Sequence, residues 1–288
     1  MNYNGEEIIR VEHLRHVYAA GTPLAVAALE DVSLSVKKGE FLVLAGPTGS
    51  GKSTLAQHFN GLLLPTAGIV RVAGRDTREK KFRRRLWRLV GLVFQYPEQQ
   101  LFAETVFDDV AFGPRNLRLP SPEVAGRVFA ALEMVGLDPQ EVKDLSPFAL
   151  SQGQRRRAAL AGILAVDPPV LVLDEPAAGL DPRGRRRLLA LFKDLQRRRG
   201  KTIVLITHNM DVAAEFADRM IVLNEGKLFR EGSPREVFAG WAALQGIGLK
   251  PPVAAELLQR LGSRAVALTL AEAEEEIKGM LAETRQIP

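Results

Sequence analysis

The chain has 288 residues, of which 46% are hydrophobic and 25% are charged, as is usual for one large globular domain with a small appendage. It contains no cysteine, which excludes disulfides, thiolate metal sites and cysteine nucleophiles. No apolar run reaches the roughly 18–20 residues that cross a bilayer, and the N-terminus lacks the features of a signal peptide. We therefore expect a cytoplasmic protein without a transmembrane segment.

The net charge of +5 and the isoelectric point near 9.6 raise the question of an anionic partner. Runs of three arginines begin at Arg83, Arg155, Arg185 and Arg197. They fall within or beside helical patterns and are scattered along the chain, so we interpret them as solvated helix faces. No nucleic acid is expected as a partner, and a basic face near anionic lipid head groups is an open alternative.

The pattern of the first 45 residues predicts antiparallel strands followed by a buried strand. Residues Ile8 to Tyr18 have strand-like content, and Leu29 to Val36 alternate with a period of two. The apolar run Phe41 to Ala45 predicts a buried strand, and Ile69 to Val72 predicts another strand that ends in a turn. We therefore expect an antiparallel β subdomain before and beside the buried strand.

A glycine-rich loop follows that buried strand and precedes a helical pattern. The spacing G-x-x-x-x-G-K-[ST], in the strand–loop–helix context that the motif requires, is matched by Gly46, Gly51, Lys52 and the hydroxyl residue Ser53. Backbone N–H groups and the positive end of the helix hold a polyphosphate, the lysine reaches the β- and γ-phosphates, and the hydroxyl binds Mg²⁺. The motif predicts a nucleoside-triphosphate site made of Gly46, Pro47, Thr48, Gly49, Ser50, Gly51, Lys52, Ser53 and Thr54.

The middle of the chain is helical in pattern. Residues Leu89 to Tyr96 predict a buried strand that ends at Gln95. Beyond it, Ser121 with the following proline predicts the cap of an amphipathic helix that runs to about Val135. We expect residues from about 97 to 168 to form a helical insertion between two strands of the core sheet.

Two further strands carry polar residues at their ends. Val170 to Asp174 is an apolar strand that ends in a carboxylate, and Glu175 follows. Thr202 to Thr207 is another buried strand, and His208 follows it. Apolar strands that alternate with helices predict an α/β fold with a parallel sheet covered on both faces. At the carboxyl edge of such a sheet, Asp174 is predicted to hold Mg²⁺, and Glu175 to orient or deprotonate the attacking water.

The character of the sequence changes after a capped helix that begins at Ser233. Amphipathic helices are predicted over roughly Val253 to Leu261 and Leu270 to Leu281. These helices are too few to bury a core of their own. We therefore expect residues 239–288 to form a C-terminal extension that packs on the main domain or on a partner chain.

The segment Leu150 to Gln154 opens a helix with a hydroxyl and a glycine amide at its N-terminus, which provides either a second anion site or a simple N-cap by Ser151. Together with the phosphate loop, the strand that ends in Asp174 and Glu175, and the residues Asp181 and His208, this segment resembles the ATP-binding subunits of ABC transporters over residues 1–238. The resemblance implies a P-loop NTPase (RecA-like) core, an antiparallel β subdomain and a helical insertion. It also implies ATP and Mg²⁺ as ligands, and ATP hydrolysis coupled to transport.

The resemblance further implies a role for individual residues. Tyr18 would stack on adenine, Gln95 would contact Mg²⁺ and link the site to the membrane partner, and His208 would contact the γ-phosphate. The implied catalytic residues are Lys52, Gln95, Glu175 and His208, and the implied Mg²⁺ ligands are Ser53, Gln95 and Asp174. The residues implied to serve ATP held by the opposite subunit are Ser151, Gly153, Gln154 and Asp181, so that two chains sandwich two ATP molecules head to tail. One departure is Gln152, which stands where the family pattern has glycine.

The stretch Phe94 to Phe102, followed by Asp109 to Pro114, resembles the ATPases of energy-coupling-factor transporters, which include cobalt and nickel importers. The extra segment from about Gly240 also resembles that group, where it helps to pair the two ATPases. The resemblance implies a second ATPase subunit, a membrane-embedded T component docked in a groove beside the glutamine loop, and an S component that binds a vitamin or metal ion. Tyr96 and Glu98 are candidates to line this groove together with Phe102. The chain would lie peripherally at the cytoplasmic face of the cell membrane.

Two other functions compete with this one. The ATPase of an ordinary ABC solute importer is disfavoured because such a protein would lack the Pro97 to Phe102 stretch. A soluble ABC-type ATPase acting on nucleic acid is disfavoured because those usually carry two cassettes or a long coiled-coil insertion. The transported solute, and the choice between a homodimer and a heterodimer, are open at this stage.

Overall fold

The computed structural model of the protein describes residues 7–263 and 265–284. Its strands are β1 (Glu7–Tyr18), β2 (Val26–Lys37), β3 (Phe41–Ala45), β4 (Ala67–Val72), β5 (Arg75–Asp76), β6 (Val90–Val93), β7 (Val170–Asp174), β8 (Thr202–Ile206), β9 (Arg219–Asn224) and β10 (Lys227–Gly232). They form a four-stranded antiparallel sheet in the order β2-β1-β4-β5 and a six-stranded sheet in the order β10-β9-β3-β8-β7-β6. In the larger sheet the strands run parallel, except that β10 forms an antiparallel hairpin with β9.

Among the residues described, four of the α-helices are inserted between β6 and β7, and four others follow β10. The α-helices are α1 (Lys52–Phe59), α2 (Lys80–Arg83), α3 (Val106–Asn116), α4 (Ser121–Met134), α5 (Pro139–Val142), α6 (Gln152–Leu164), α7 (Pro182–Arg199), α8 (Met210–Phe216), α9 (Pro234–Ala239), α10 (Trp241–Gly246), α11 (Val253–Arg260) and α12 (Leu270–Thr284). Short 3-10 helices span Leu86–Arg88, Pro97–Gln100 and Pro147–Ala149. In the part of the chain that the structure describes, no helix is both long enough and apolar enough to cross a membrane.

The central sheet is buried on both faces. In β3, Phe41 and Val43 point into one apolar cluster, whereas Leu42 and Leu44 point into another, because side chains alternate along a strand. The first cluster contains apolar residues of α3, α4, α6 and α7, and the second contains those of α1 and the antiparallel sheet. The α/β fold with a parallel sheet is therefore confirmed, and the apolar strands of the sequence follow from this double burial.

Three details differ from the prediction. Strand β6 ends at Val93 rather than at Gln95, and Tyr96 adopts the left-handed conformation with φ of +57°, which turns the chain away from the sheet. Helix α4 has Pro120 as its cap residue, so Ser121 is the first helical residue and its hydroxyl does not cap the helix. The short helices α5, α8 and α10 were not predicted, because segments of four to seven residues carry little periodicity.

The C-terminal residues pack in two ways. Leu244 and Leu249 join the main apolar core, so that core continues past residue 238, where the sequence places a domain boundary. Helices α11 and α12 enclose a small cluster of their own, which includes Leu258 and Ala273. The division of the chain into an ATP-binding domain and an extension stays a prediction.

Candidate active site

The glycine-rich loop between β3 and α1 is held by close packing against its neighbours. Gly46 has φ of +147°, and a Cβ on it would lie 2.2 Å from the carbonyl oxygen of Leu223. Gly51 has φ of +96°, and a Cβ there would lie 2.7 Å from the carbonyl oxygen of Ala28. Only glycine adopts these backbone angles without strain and fits these gaps. The packing therefore fixes the loop in a conformation that places its backbone at the start of α1.

Lys52 is folded over this loop. Its Nζ donates hydrogen bonds to the carbonyl oxygens of Gly46 at 2.9 Å and Pro47 at 2.7 Å. Burial lowers the pKa of Lys52, and the negative charges of Asp174 and Glu175 oppose that shift. A partly desolvated ammonium attracts an anion more strongly than one in bulk water does. The lysine is therefore suited to bind a phosphate group that reaches the loop.

Asp174 ends β7 beside the start of α1. Burial raises its pKa, and the Ser53 hydroxyl opposes this as a hydrogen-bond donor to the carboxylate. The charge of Glu175 raises the pKa further, and that of Lys52 lowers it. A hydroxyl and a carboxylate oxygen side by side are the hard ligands that Mg²⁺ prefers. The donor set of Ser53 and Asp174 thus fits a magnesium ion.

Glu175 and His208 meet at the ends of β7 and β8. The Glu175 backbone N–H donates to the carbonyl oxygen of Ile206 at 3.1 Å, and its φ is +48°. Its Oε1 accepts a hydrogen bond from the backbone N–H of His208 at 2.9 Å and lies 2.6 Å from His208 Nδ1. The Glu175 side chain is 16% exposed and that of His208 is 77% exposed. The sequence placed both residues at strand ends but missed their direct contact.

Gln95 lies at the same edge of the sheet. It follows Val93, the last residue of β6, by two positions, and Val93 pairs with Leu173, which precedes Asp174. Because parallel strands end at one edge, Gln95 leaves the sheet on the side of the phosphate loop. Its side chain is exposed.

Tyr18 ends β1 next to the first turn of α1. Its hydroxyl lies 3.1 Å from Thr54 Oγ1, and its ring packs edge-on against His16 with centroids 4.6 Å apart. The His16 ring in turn packs edge-on against that of His58, 4.7 Å away. Tyr18 is 41% exposed, so part of its ring is open to a partner.

The residues expected to serve the opposite subunit lie elsewhere. Ser151 caps α6 in a capping box with Gln154, and Asp181 caps α7 by accepting from the Gly184 N–H at 2.9 Å. Gly153 is exposed, with open space where a Cβ would lie. Across residues 7–263 and 265–284, no hydrogen bond joins these side chains to the glycine-rich loop. The site assembled within one chain thus contains Lys52, Ser53, Asp174, Glu175 and His208, without Ser151, Gly153 or Asp181.

A phosphate-binding loop between a parallel strand and a helix, with carboxylates at the end of a nearby strand, defines a P-loop NTPase. Known proteins narrow this class. A family model described as "ABC transporter" matches residues 29–178. The energy-coupling factor transporter ATP-binding protein EcfA2 of Symbiobacterium thermophilum is 53% identical over 277 residues, which cover 94% of this chain and 96% of that protein.

Two solved structures have the same fold. Clostridium perfringens cbiO1, described as part of the ABC transporter complex cbiONQ, matches with a TM-score of 0.74 and 37% identity, over 88% of this chain and 99% of that one. A dimeric ATP-binding cassette in a post-hydrolysis state, bound to ADP and Pi, matches with a TM-score of 0.71 and 31% identity, over 79% of this chain and 99% of that one.

The chain therefore belongs to the ABC transporter family, within its energy-coupling factor ATP-binding proteins. It is an ATP-binding and ATP-hydrolysing enzyme. The expected resemblance to energy-coupling-factor ATPases is confirmed, and the ordinary solute importer is the less favoured assignment.

Proposed function

We propose that this chain holds MgATP at the carboxyl edge of its central sheet and supplies half of each of two ATP sites in a head-to-tail pair of ATPases. The proposal rests on the division of the expected site residues into two groups that lie apart within one chain. Lys52, Asp174 and Glu175 converge on the glycine-rich loop, whereas Ser151 and Asp181 do not reach it. A complete site then needs a second chain.

Within one chain, each residue has a proposed role. Residues Gly46 to Thr54 hold the phosphates and Tyr18 covers the adenine, with its ring steadied by Thr54 and His16. Glu175 orients the attacking water and accepts its proton, and His208 keeps the carboxylate in place while it contacts the γ-phosphate.

Magnesium would be held by Ser53 and Asp174, with Gln95 as a third oxygen ligand. When bound, Mg²⁺ would neutralise charge that develops on the phosphates. The buried carboxylate of Asp174, with its raised pKa, is stabilised by any nearby cation.

The partner chain would donate Ser151, Gly153, Gln154 and Asp181 to the ATP bound here. The second ATPase is either another copy of this chain or a related ATPase. The similar dimeric cassette bound to ADP and Pi supports such pairing. Residues 239–288 would contribute to it through apolar side chains that lie exposed on α11 and α12, among them Leu257 and Leu270.

A groove of about 950 Å³ next to the segment after Gln95 is the proposed docking site for a membrane-embedded T component. Phe102 and Phe112 line it, with 63% and 53% of their surface exposed and their rings 5.1 Å apart. Exposed aromatic residues in a groove are typical anchors for a partner. The chain would then lie at the cytoplasmic face of the cell membrane, where an S component supplies a vitamin or transition-metal ion for uptake.

The test is affinity purification of the tagged chain from membranes, with identification of co-purified proteins and solute by mass spectrometry. Replacing both Phe102 and Phe112 by serine should reduce recovery of the membrane proteins at least about tenfold, the effect of about 1.4 kcal/mol of lost binding, without changing ATP binding by the isolated chain. Phe229→Ser removes an aromatic that is 40% exposed on β10 and should have no such effect. Equal recovery in all three samples would contradict docking in this groove.

A further inference from the structure

A buried ion pair joins the segment after Gln95 to helix α6. Arg156 Nε lies 3.1 Å from Glu98 Oε2, and Arg156 Nη2 lies 3.2 Å from Glu98 Oε1. The two side chains are only 4% and 9% exposed. Two parallel hydrogen bonds between a guanidinium and a carboxylate fix both distance and orientation. The start of α6 is therefore locked to the 3-10 helix that carries Glu98.

The same guanidinium also holds a third segment. Arg156 Nη1 donates to the carbonyl oxygen of Ala178, which lies between Glu175 and Asp181. The Arg156 guanidinium lies 5.7 Å from the centroid of the Tyr96 ring. One buried side chain thus connects the loop after β6, the loop after β7 and the first turns of α6.

The pair is electrostatically satisfied. Burial alone raises the pKa of Glu98, but the hydrogen bonds and charge of Arg156 outweigh this and hold the pKa below its ordinary value. Gln152 lines the same hollow of about 430 Å³ as Glu98, and its side chain helps to lower the pKa of the Glu98 carboxyl. Gln152 is itself exposed and stands where the family pattern has glycine. A glycine has no side chain to reach the carboxylate.

We propose that Glu98 and Arg156 are positioning residues that make the two ATP sites of a pair act together. The inference rests on the proposed head-to-tail function. Gln95 and Glu175 serve the site of their own chain, whereas Ser151, Gly153 and Asp181 serve the opposite site. Arg156 binds both the segment after Gln95 and the loop between Glu175 and Asp181. It also lies on the helix that Ser151 caps. Closure around ATP at one site therefore moves the residues that serve the other site.

This coupling predicts cooperative ATP hydrolysis. For two coupled sites, the Hill coefficient for ATP hydrolysis by the purified complex lies between about 1 and about 2. Loss of the Glu98–Arg156 ion pair lowers the Hill coefficient to about 1. ATP binding by the isolated chain does not change, because neither Glu98 nor Arg156 contacts the glycine-rich loop. A merely structural role would lower thermal stability and leave the coefficient where it was.

The principal variant replaces Glu98 by leucine and Arg156 by methionine together, which removes the ion pair without leaving a buried charge unpaired. Its matched control is Glu123→Gln with Arg127→Met, which removes an ion pair of 3.0 Å on the exposed side of α4. The control should keep the wild-type Hill coefficient. Thermal denaturation of both variants shows that each is folded before the rates are compared.

A surface substitution provides a second arm that does not touch the core. Gln152→Glu places a negative charge beside Glu98 and should lower the Hill coefficient, whereas Gln152→Arg keeps a donor there and should preserve it. The helix dipole alone would favour glutamate over arginine at this N-terminal position, so it predicts the opposite order of the two variants. Gln140→Glu introduces the same charge at an exposed glutamine in the first turn of α5 and serves as the matched control, which should keep the wild-type Hill coefficient.

The outcomes separate this inference from the proposed function. If wild-type hydrolysis has a Hill coefficient of about 1, or if neither the Glu98–Arg156 double variant nor Gln152→Glu changes the coefficient, the inference is overturned. The proposed function still stands in that case, provided that Glu175→Gln abolishes turnover. Loss of cooperativity in both arms, with unchanged ATP binding by the isolated chain, supports the inference.

Discussion

Glu175 Oε1 lies 2.9 Å from the backbone nitrogen of His208 and 2.6 Å from Nδ1 of its imidazole, so one residue holds this carboxylate oxygen at two points. The backbone of Glu175 has φ of +48°, an uncommon value for a residue with a side chain. The two contacts point the carboxylate along the edge of the sheet. A general base needs such fixed geometry to act on a water molecule.

Replacement of His208 by alanine should therefore lower the rate of ATP hydrolysis by about 10²-fold, the typical contribution of a positioned acid–base group. ATP binding should change little, because the phosphate loop itself is untouched. Steady-state phosphate release and equilibrium nucleotide binding measure the two effects separately. His13→Ala removes an exposed histidine that pairs with Asp31 in the antiparallel sheet, and it should behave like the wild type. A similar rate for both variants would disprove the proposed role of His208.

Gly46→Ala should destabilise the protein and weaken ATP binding. Its Cβ would lie 2.2 Å from the Leu223 carbonyl oxygen, at a φ of +147°. Overpacking with backbone strain should lower the free energy of unfolding by roughly 2–4 kcal/mol. Gly49 has φ of +80° and open space around a Cβ, so Gly49→Ala should cost only about 1 kcal/mol. Urea denaturation of both variants tests this difference, and equal losses would refute the packing argument.

His58 should make stability depend on pH. Burial lowers the pKa of this histidine from 6.5 to about 4, although the Thr54 carbonyl, 2.7 Å from Nδ1, opposes the shift. Between these values the unfolded chain binds a proton that the folded chain does not, so the free energy of unfolding falls as the pH falls. The contribution of neutral His58 to the free energy of unfolding is fully present above about pH 6.5 and is lost by about pH 4. The total loss over this range is about 3 kcal/mol.

The measurement is urea denaturation of the wild type and of His58→Gln at several pH values. The difference in unfolding free energy between the two proteins should shrink by about 2 kcal/mol from pH 7 to pH 5. A difference that stays constant over this range would show that His58 is not the titrating group.

The parts of the fold that the sequence predicted are those with strong local signals. The apolar strand before Gly46 and the apolar strand before Asp174 are buried on both faces, so their composition alone identifies them. The phosphate loop has fixed spacing because two of its glycines, Gly46 and Gly51, lie close to neighbouring backbone carbonyls. These features place Lys52 and the two carboxylates at one edge without further information.

The remainder depends on contacts between residues far apart in sequence. Glu98 and Arg156 are separated by 58 positions, and nothing in either segment indicates their pairing. The end of β6 was placed two residues too late, because Phe94 and Tyr96 are apolar although the chain has already turned. Helix α8 carried one usable signal, Asn209, whose side chain caps it by accepting from the Val212 N–H.

The central claim is that each ATP site is divided between two chains, and the mass of Glu175→Gln in the presence of MgATP tests it most directly. Size-exclusion chromatography with light scattering should show about twice the 31.6 kDa mass of one chain. The dimer forms either from two copies of the purified variant or from the variant and a related ATPase that is recovered with it from membranes. Omitting ATP, or adding Ser151→Ala, should prevent this association. A species of 31.6 kDa that persists with MgATP in both preparations would contradict the account.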